Sequence, residues 1–318
     1  MKIAILTSGG DAPGMNAAIR SVVRTALYYQ IEPYAVLDGF RGLATSKYKK
    51  MTRKDVSEIL SRGGTVLGTA RYDDFFREET VLKAVNNLIS QKIDCLIVIG
   101  GDGTYRGAKA IKETGFPVIG IPASIDNDIW GTDYTIGFHT ALKTIVDDID
   151  KIKDTSSSHQ RASIIETMGR HKGDLALYAG LSTGAEFIIT PENKIDKNTI
   201  IASLKQHKKE GRRNAIIVVT ENLINVHEFA KEITEKSGFS CRATVLGYVQ
   251  RGGSPVPNDR ILAGIMGAYA IDLIRNKQYG LAIGTRHEEL VSYTFKEALQ
   301  RETTDTIQKL YSLVPKIA

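Results

Sequence analysis

Cysteine is nearly missing from this chain. Its 318 residues hold only Cys95 and Cys241, far apart and in no metal-ligand spacing. That leaves neither a disulfide framework nor a structural zinc site, and both thiols are expected to be buried and reduced. Long hydrophobic runs are missing too: no stretch approaches the ~20 apolar residues that span a bilayer. The opening MKIAILTSGG joins a lysine to an apolar stretch that stops after Leu6. This is shorter than the ~7–15 residues of a signal-peptide core. It is read as the first strand of a cytoplasmic protein. Internal repeats and low-complexity linkers do not occur. The chain carries a net charge of +6 and a pI of about 9.1, yet its arginines are scattered, many of them beside glycines. A nucleic-acid surface usually needs clustered basic residues, so small phosphorylated ligands fit better. One dense basic run, from Lys208 to Arg213, reads equally as a solvated helix end.

What is present is alternation. Strand-like runs at 2–6, 32–37, 94–99, 117–121, 162–166, 215–219 and 242–246 are interleaved with helix-like runs. The helical runs fall at 15–29, 78–91, 104–113, 173–181, 200–207, 226–236 and 259–274, with helical spacing also at 141–152. Short β-rich runs between helices predict an α/β fold with parallel sheets covered on both faces. A boundary near Gly137 would open a second domain. Ligands in such sheets bind beyond the carboxyl ends of the strands, so the loops there carry the candidates.

The first loop is LTSGGDAPGMNAAIR, residues 6–20, where Gly9 and Gly10 permit close backbone approach and Pro13-Gly14 turns the chain into a helix. It is neither a Walker A nor a Rossmann motif, and a purely structural turn is its alternative. The second, IGGDGTYRGAKAI at 99–111, repeats the strand–glycine–helix pattern, and two such turns make a phosphate cradle. Asp102 sits in that cradle, where a carboxylate repels phosphate unless a divalent cation lies between them. Asp102 is thus expected to face the metal of a Mg–nucleotide, with helix capping as the alternative. The third loop, IPASIDNDIWGTD at 121–133, holds Asp126 and Asp128 around Asn127. One can serve as a base toward a hydroxyl and the other as its orienting partner, with a plain turn or cation-binding loop as the alternative. Arg71, Arg161, Arg170, Arg242 and Arg251 near strand ends could together grip a phosphate. Glu221, just after a strand, suits a sugar hydroxyl.

GGDAPGMNAAIR, IGGDGTYRGA, SIDNDIWGTDYTIGF, DTSSSHQR, MGRHKGD, ATVLGYVQRGGSP and DRILA occur in that order across nearly the whole chain. In this the sequence resembles the bacterial ATP-dependent 6-phosphofructokinase family. The resemblance implies two similar three-layer α/β domains, each a mostly parallel sheet flanked by helices. Residues 1–137 plus about 251–301 would bind ATP, and 138–250 plus about 302–318 would bind a sugar phosphate. It also implies transfer of the γ-phosphate of Mg-ATP to the 1-hydroxyl of fructose 6-phosphate. Asp126 would be the base and Asp128 its assistant, with Ser124, Arg71 and Arg170 in the catalytic set. Gly10, Arg71, Tyr72, Gly101, Asp102, Gly103 and Thr104 would hold Mg-ATP, with Asp102 toward Mg²⁺. Ser124, Ile125, Asp126, Met168, Gly169, Arg170, Glu221, Tyr248, Val249, Gln250 and Arg251 would bind the sugar phosphate. Arg161 and Arg242 would reach a neighbouring subunit's site in a homotetramer. An effector site for ADP and phosphoenolpyruvate is implied at Arg20, Arg24, Arg53, Glu58, Lys153, Gly184, Ala185, Glu186, Arg212, Arg213 and Asn214. Small residues at Gly103 and Ala123, where pyrophosphate-dependent relatives tend to carry an acid and a lysine, favour ATP as donor. Another ketose phosphate, pyrophosphate as donor, or a non-catalytic nucleotide sensor are the alternatives.

The sequence departs from that family at four places. Ala123-Ser124 replaces a usual Gly-Thr, Trp130 stands where proline or lysine is common, and Glu210 stands where a basic residue often lines the effector site. Tyr248 stands where a histidine usually contributes to the sugar 6-phosphate; a phenol donates a hydrogen bond but brings no positive charge. Restoring the histidine in Tyr248→His is expected to tighten fructose 6-phosphate binding by roughly 1–2 kcal/mol, the scale of a charged hydrogen bond. A titration that finds no gain in apparent affinity refutes this.

Overall fold

Parallel pairing decides the architecture. In the computed structural model, which describes residues 1–70, 72–300 and 305–317, the chain divides into two units. Unit 1 comprises Met1–Thr140 with Arg251–Glu302, and unit 2 comprises Ala141–Gln250 with Thr303–Ala318. In chain order, unit 1 begins with β1 (Lys2–Ser8), α1 (Met15–Tyr28), β2 (Glu32–Val36), α2 (Gly39–Ala44) and β3 (Tyr48–Lys50). It continues with α3 (Glu78–Ser90), β4 (Cys95–Gly100), α4 (Asp102–Glu113) and β5 (Val118–Pro122). The chain passes into unit 2 along α5 (Phe138–His159). There it forms β6 (Arg161–Thr167), α6 (Asp174–Thr183), β7 (Phe187–Ile189), α7 (Lys197–Lys209), β8 (Ala215–Thr220), α8 (Val226–Ser237) and β9 (Ser240–Val245). Unit 1 resumes with α9 (Pro257–Arg275), β10 (Leu281–Arg286), β11 (Glu289–Thr294) and α10 (Phe295–Ala298), and α11 (Asp305–Ile317) returns to unit 2.

The unit 1 sheet has seven strands in the order β11-β10-β5-β4-β1-β2-β3. Strand β4, Cys-Leu-Ile-Val-Ile-Gly, is buried along its whole length, as a strand covered on both faces must be. Leu96 and Val98 join Ala4, Leu6, Phe40, Leu88 and Tyr105 in a core beneath α2, α3 and α4. Ile3, Ile5 and Ile97, at alternating positions, are also fully buried and point to the other face, where α1 packs along α9. Unit 2 has four parallel strands in the order β7-β8-β6-β9. Its core gathers Ile164, Ile217 and Val219 from the sheet with Leu204 of α7 and Phe229 and Ile233 of α8. Cys95 and Cys241 are free and buried, as expected.

The sheets are mostly parallel, as expected, and the exceptions lie at the two edges of unit 1. There β3 pairs antiparallel with β2, and β11 pairs antiparallel with β10. The hairpin turn His287-Glu288 adopts positive φ at both residues. That is the geometry of a two-residue hairpin, but without the Asn-Gly or Asp-Gly pair that usually marks one in sequence. β3 is three residues ending in two lysines, a charged edge strand that discourages further pairing. The predicted helix at 104–113 begins two residues earlier, at Asp102.

Candidate active site

Strands β1 and β4 are neighbours, with Ser8 opposite Gly100, so the first two glycine turns lie side by side. Thr104 fastens them: its hydroxyl donates to the Ser8 carbonyl at 2.9 Å. A β-carbon at Gly100 would collide with the Thr104 side chain. Glycine is therefore required by close approach. Gly101 is the N-cap of α4 and no side chain caps the helix, leaving its first N–H groups available to an anion. Asp102 opens the helix rather than capping it; its carboxylate meets the Arg106 guanidinium at 2.7 Å. Around Gly103 a β-carbon would meet nothing within 4 Å. Arg251 lies over the first turn, its guanidinium donating to the Asp11 carbonyl at 3.4 Å and filling the space a β-carbon on Gly10 would need. The Arg251 Nε is buried without a hydrogen-bond partner among the described residues. Tyr72 is half-buried; Arg71 lies outside the described residues.

The loop after β5 is closed by Ser124 N donating to Ile136 O at 3.0 Å and Ile136 N donating to Pro122 O at 3.1 Å. Inside it, the Ser124 hydroxyl donates to Asp128 Oδ1 at 2.8 Å and accepts from the Asp126 backbone N–H at 3.2 Å. Asp126 is only 6% exposed; Asp128 is half-buried and Ile125 is buried. Asn127 between them is the organiser. Its φ of 52° is left-handed, a region Asn tolerates. Its amide donates to Asp133 O at 3.2 Å and its Oδ1 accepts from Thr135 N at 2.9 Å. Sequence reasoning missed this residue, although an Asn between two acids in a loop is a signal for such a turn. A β-carbon on Gly101 would lie 3.6 Å from Ser124 Cβ, so this loop adjoins the start of α4. Trp130 borders a pocket of about 360 Å³ with Arg286, whose guanidinium stands 5.8 Å from the indole centre.

In unit 2 the loop after β6 carries Met168, Gly169 and Arg170. Gly169 has a φ of 144° and Arg170 of 58°. Arg170 N donates to Glu221 Oε1 at 3.1 Å, and Met168 N donates to Gln250 Oε1 at 3.0 Å. Met168, Gly169, Arg170, Glu221 and Gln250 are thus brought together. Burial, and then the neighbouring Glu221 charge, raise the Glu166 carboxyl above its ordinary range. Val249 and Tyr248 are exposed, Tyr248 to 82%. Arg161 opens β6, at the end of the strand opposite Met168, and Arg242 stands on the edge strand β9 with its guanidinium on its neighbour's carbonyl. Neither joins the Arg170–Glu221 group within the chain.

The remaining candidates form two separate groups. Arg20 and Arg24 lie one turn apart on α1, each with a buried Nε that finds no partner among the described residues. Burial, and then the Arg24 charge, lower the pKa of Arg20. Arg53 precedes a short 3-10 turn that packs on α1, and Glu58 is exposed beyond it. In unit 2, Lys153 donates to Thr183 O at 2.7 Å beside Gly184 and the buried Ala185. Glu186 accepts from Ile216 N at 2.7 Å and lies 3.9 Å from Arg212. Arg213 is exposed and Asn214 half-buried. Glu210 is occupied locally, accepting from Gln206 at 2.9 Å.

Glycine turns beside a helix N-terminus at the carboxyl edge of a parallel sheet are the arrangement of α/β proteins that handle phosphorylated ligands. Comparison with known proteins narrows that class. A family model described as phosphofructokinase matches residues 2–274. The ATP-dependent 6-phosphofructokinase of Haemophilus ducreyi is 51% identical over 318 residues, 100% of this chain and 98% of that one. That of Photobacterium profundum is 48% identical over 316 residues, 99% of each chain. The structure of phosphofructokinase from Saccharomyces cerevisiae superimposes with a TM-score of 0.86 at 35% identity over 99% of this chain, which spans 47% of the yeast chain. A pyrophosphate-dependent phosphofructokinase from Marinobacter aquaeolei has a TM-score of 0.86 at 20% identity, covering 100% of this chain and 92% of that one, and shares the fold alone. The chain belongs to the phosphofructokinase family.

The raised Glu166 pKa has a consequence for stability. An acid whose folded pKa is raised favours folding below its unfolded pKa and loses that contribution as pH rises through the folded value. Glu166→Gln is therefore expected to raise the melting temperature at pH 7.5 and leave it unchanged near pH 4. Thermal melts showing the same shift at both pH values contradict the assignment.

Proposed function

We propose that this protein is an ATP-dependent 6-phosphofructokinase: it transfers the γ-phosphoryl group of Mg-ATP to the 1-hydroxyl of fructose 6-phosphate, giving fructose 1,6-bisphosphate and ADP. The observation that carries this reading is the Ser124 hydroxyl held between Asp126 and Asp128, in a loop adjoining the N-terminus of α4. Full-length identity near one half to ATP-dependent 6-phosphofructokinases supports it.

In this reading Asp126 accepts the proton of the attacking hydroxyl, and Asp128, through Ser124, fixes the loop. The transition state is loose, so the proton leaves late and an ordinary ionised carboxylate suffices. Gly10, Arg71, Tyr72, Gly101, Asp102, Gly103 and Thr104 bind the nucleotide. No group of three or more His, Cys, Asp or Glu among the described residues could hold a metal by itself. Asp102 would be the protein's carboxylate toward the Mg²⁺ of Mg-ATP, which would supply charge neutralisation for the phosphoryl transfer. The small residues Gly103 and Ala123 favour ATP over pyrophosphate as donor. Met168, Gly169, Arg170, Glu221 and Gln250 bind the sugar phosphate, Arg251 contributes its guanidinium, and Arg170 offsets charge on the moving group.

Arg161 and Arg242 lie away from that group and serve a neighbouring subunit's site in a homotetramer. The exposed Val245, Tyr248 and Val249 on and after edge strand β9 support such an interface. Arg20 and Arg24, two close cations with unpartnered nitrogens, suit an anionic effector such as ADP or phosphoenolpyruvate. Among the described residues no helix is long and apolar enough to cross a membrane, in keeping with a cytoplasmic enzyme. A positioned base contributes on the order of 10²–10⁴-fold. Asp126→Ser is thus expected to lower kcat by that factor in a coupled assay while its melting curve stays close to wild type. A folded Asp126→Ser protein with near-normal kcat overturns the assignment.

A further inference from the structure

The DRILA segment contributes no atom to the site described above, yet its first residue is one of the most deeply buried charges in the chain. Asp259 is 0% exposed. Its Oδ1 accepts from Gly137 N at 3.0 Å; its Oδ2 accepts from Thr140 N at 2.8 Å and from the Thr140 hydroxyl at 2.5 Å. The Thr140 oxygen in turn accepts from Val256 N at 3.0 Å. The next residue, Arg260, donates to Pro255 O at 2.6 Å and to Ser254 Oγ at 3.0 Å. A buried carboxylate is costly unless its oxygens are satisfied. Here all three of these donors come from the first turn of α5 and the residue before it.

The segments joined in this way all lead into the site. Gly137 directly follows Ile136, which closes the loop carrying Ser124, Asp126 and Asp128. Residues 254–256 continue from Arg251, whose guanidinium reaches the Asp11 carbonyl in the first glycine turn. Gly14, which ends that turn with a φ of 106°, packs on Asp259: a β-carbon there would lie 3.5 Å from Asp259 Cβ. Gly137, with a φ of 107°, leaves no room for a β-carbon beside Ala12. Three loops from distant parts of the sequence thus end on one carboxylate and its neighbour.

We infer that Asp259, assisted by Arg260 and Thr140, is a positioning residue for the phosphoryl-acceptor half of the site: it fixes the Asp126 loop and the Arg251 loop relative to each other. The inference rests on the proposed kinase reading for its kinetic consequence, but not for its structural one. It separates two effects. The Gly14 contact is van der Waals and survives an isosteric change, so the nucleotide side is spared. The two-sided clamp does not survive, because an amide keeps one acceptor oxygen: with that oxygen on the Gly137 N–H, its NH₂ cannot accept from the Thr140 N–H.

The test is Asp259→Asn, with Thr140→Val and Thr140→Ser as milder variants. Asp259→Asn is expected to lower kcat/KM for fructose 6-phosphate by about tenfold or more, since misplacement by ~1 Å can cost ~10²-fold. The KM for Mg-ATP is expected to move less than about twofold, because its contacts lie elsewhere. Thr140→Val is expected to follow in the same direction by a few-fold, and Thr140→Ser to restore the wild-type split. Amide hydrogen exchange, which needs no activity, is expected to rise through 123–136 and 251–256 in Asp259→Asn. A folded Asp259→Asn protein with both kinetic constants and both exchange profiles at wild-type values overturns the inference. If Asp259→Asn does not fold, Thr140→Val with wild-type constants and exchange overturns it. If the wild-type protein itself shows no turnover, the kinase reading fails, and the exchange profiles alone decide the positioning role.

Discussion

Parallel strand pairing is the constraint on which the rest of this molecule depends. Two parallel neighbours cannot be joined by a tight turn; each needs a crossover, and each crossover delivers the next strand in the same direction. The turns after β1, β4 and β5 therefore emerge along one edge of the unit 1 sheet, and those after β6 and β8 along one edge of the unit 2 sheet. The candidate catalytic carboxylates, both glycine turns, the Arg170 loop and Glu221 all occupy such positions. Burial of the sheets on both faces supplies the stabilisation, and leaves these ends as the places where polar groups meet solvent and ligand.

What distinguishes this site from a generic α/β edge is how its loops are held. Each is fastened by a small polar side chain used as a backbone clamp: Thr104 on Ser8, Asn127 on Asp133 and Thr135, Gln250 on Met168, Asp259 on Gly137 and Thr140. Such bonds cost little when complete and are expensive to leave half-made in a buried setting. They hold the loops in fixed shapes. The conformations they impose include a left-handed residue in each unit, Asn127 in the loop after β5 and Arg170 in the loop after β6.

Much of this was legible in the sequence. The central strands β1, β4, β5, β6 and β8 are apolar runs of the right length, and the helices between them have clear periodicity. The glycine turns and the paired acids followed from chemistry at strand ends. The β10–β11 hairpin was not legible, because its turn uses His287-Glu288 rather than a glycine-bearing pair. The three-residue strands β3 and β7 are too short to show a period. The clamps escaped for a different reason. Asn127 acts within its own loop, where an Asn between two acids is a weak turn signal, but Gln250 and Asp259 act on backbone groups that tertiary folding alone brings near, Asp259 across more than a hundred residues, and no local pattern announces such a contact. The effector candidates fall into one group on α1 and another around Lys153 and Glu186, a division that spacing along the chain does not express.

The central claim is that this protein passes a phosphoryl group from a nucleotide to a sugar phosphate. The most direct measurement is the initial rate of fructose 1,6-bisphosphate formation by the purified wild-type protein, with Mg-ATP and, separately, with Mg-pyrophosphate as donor. The account predicts turnover with Mg-ATP at rates typical of kinases, ~1–100 s⁻¹, and none above background with pyrophosphate. Turnover with pyrophosphate and not with ATP, or with neither donor in a folded protein, would contradict it.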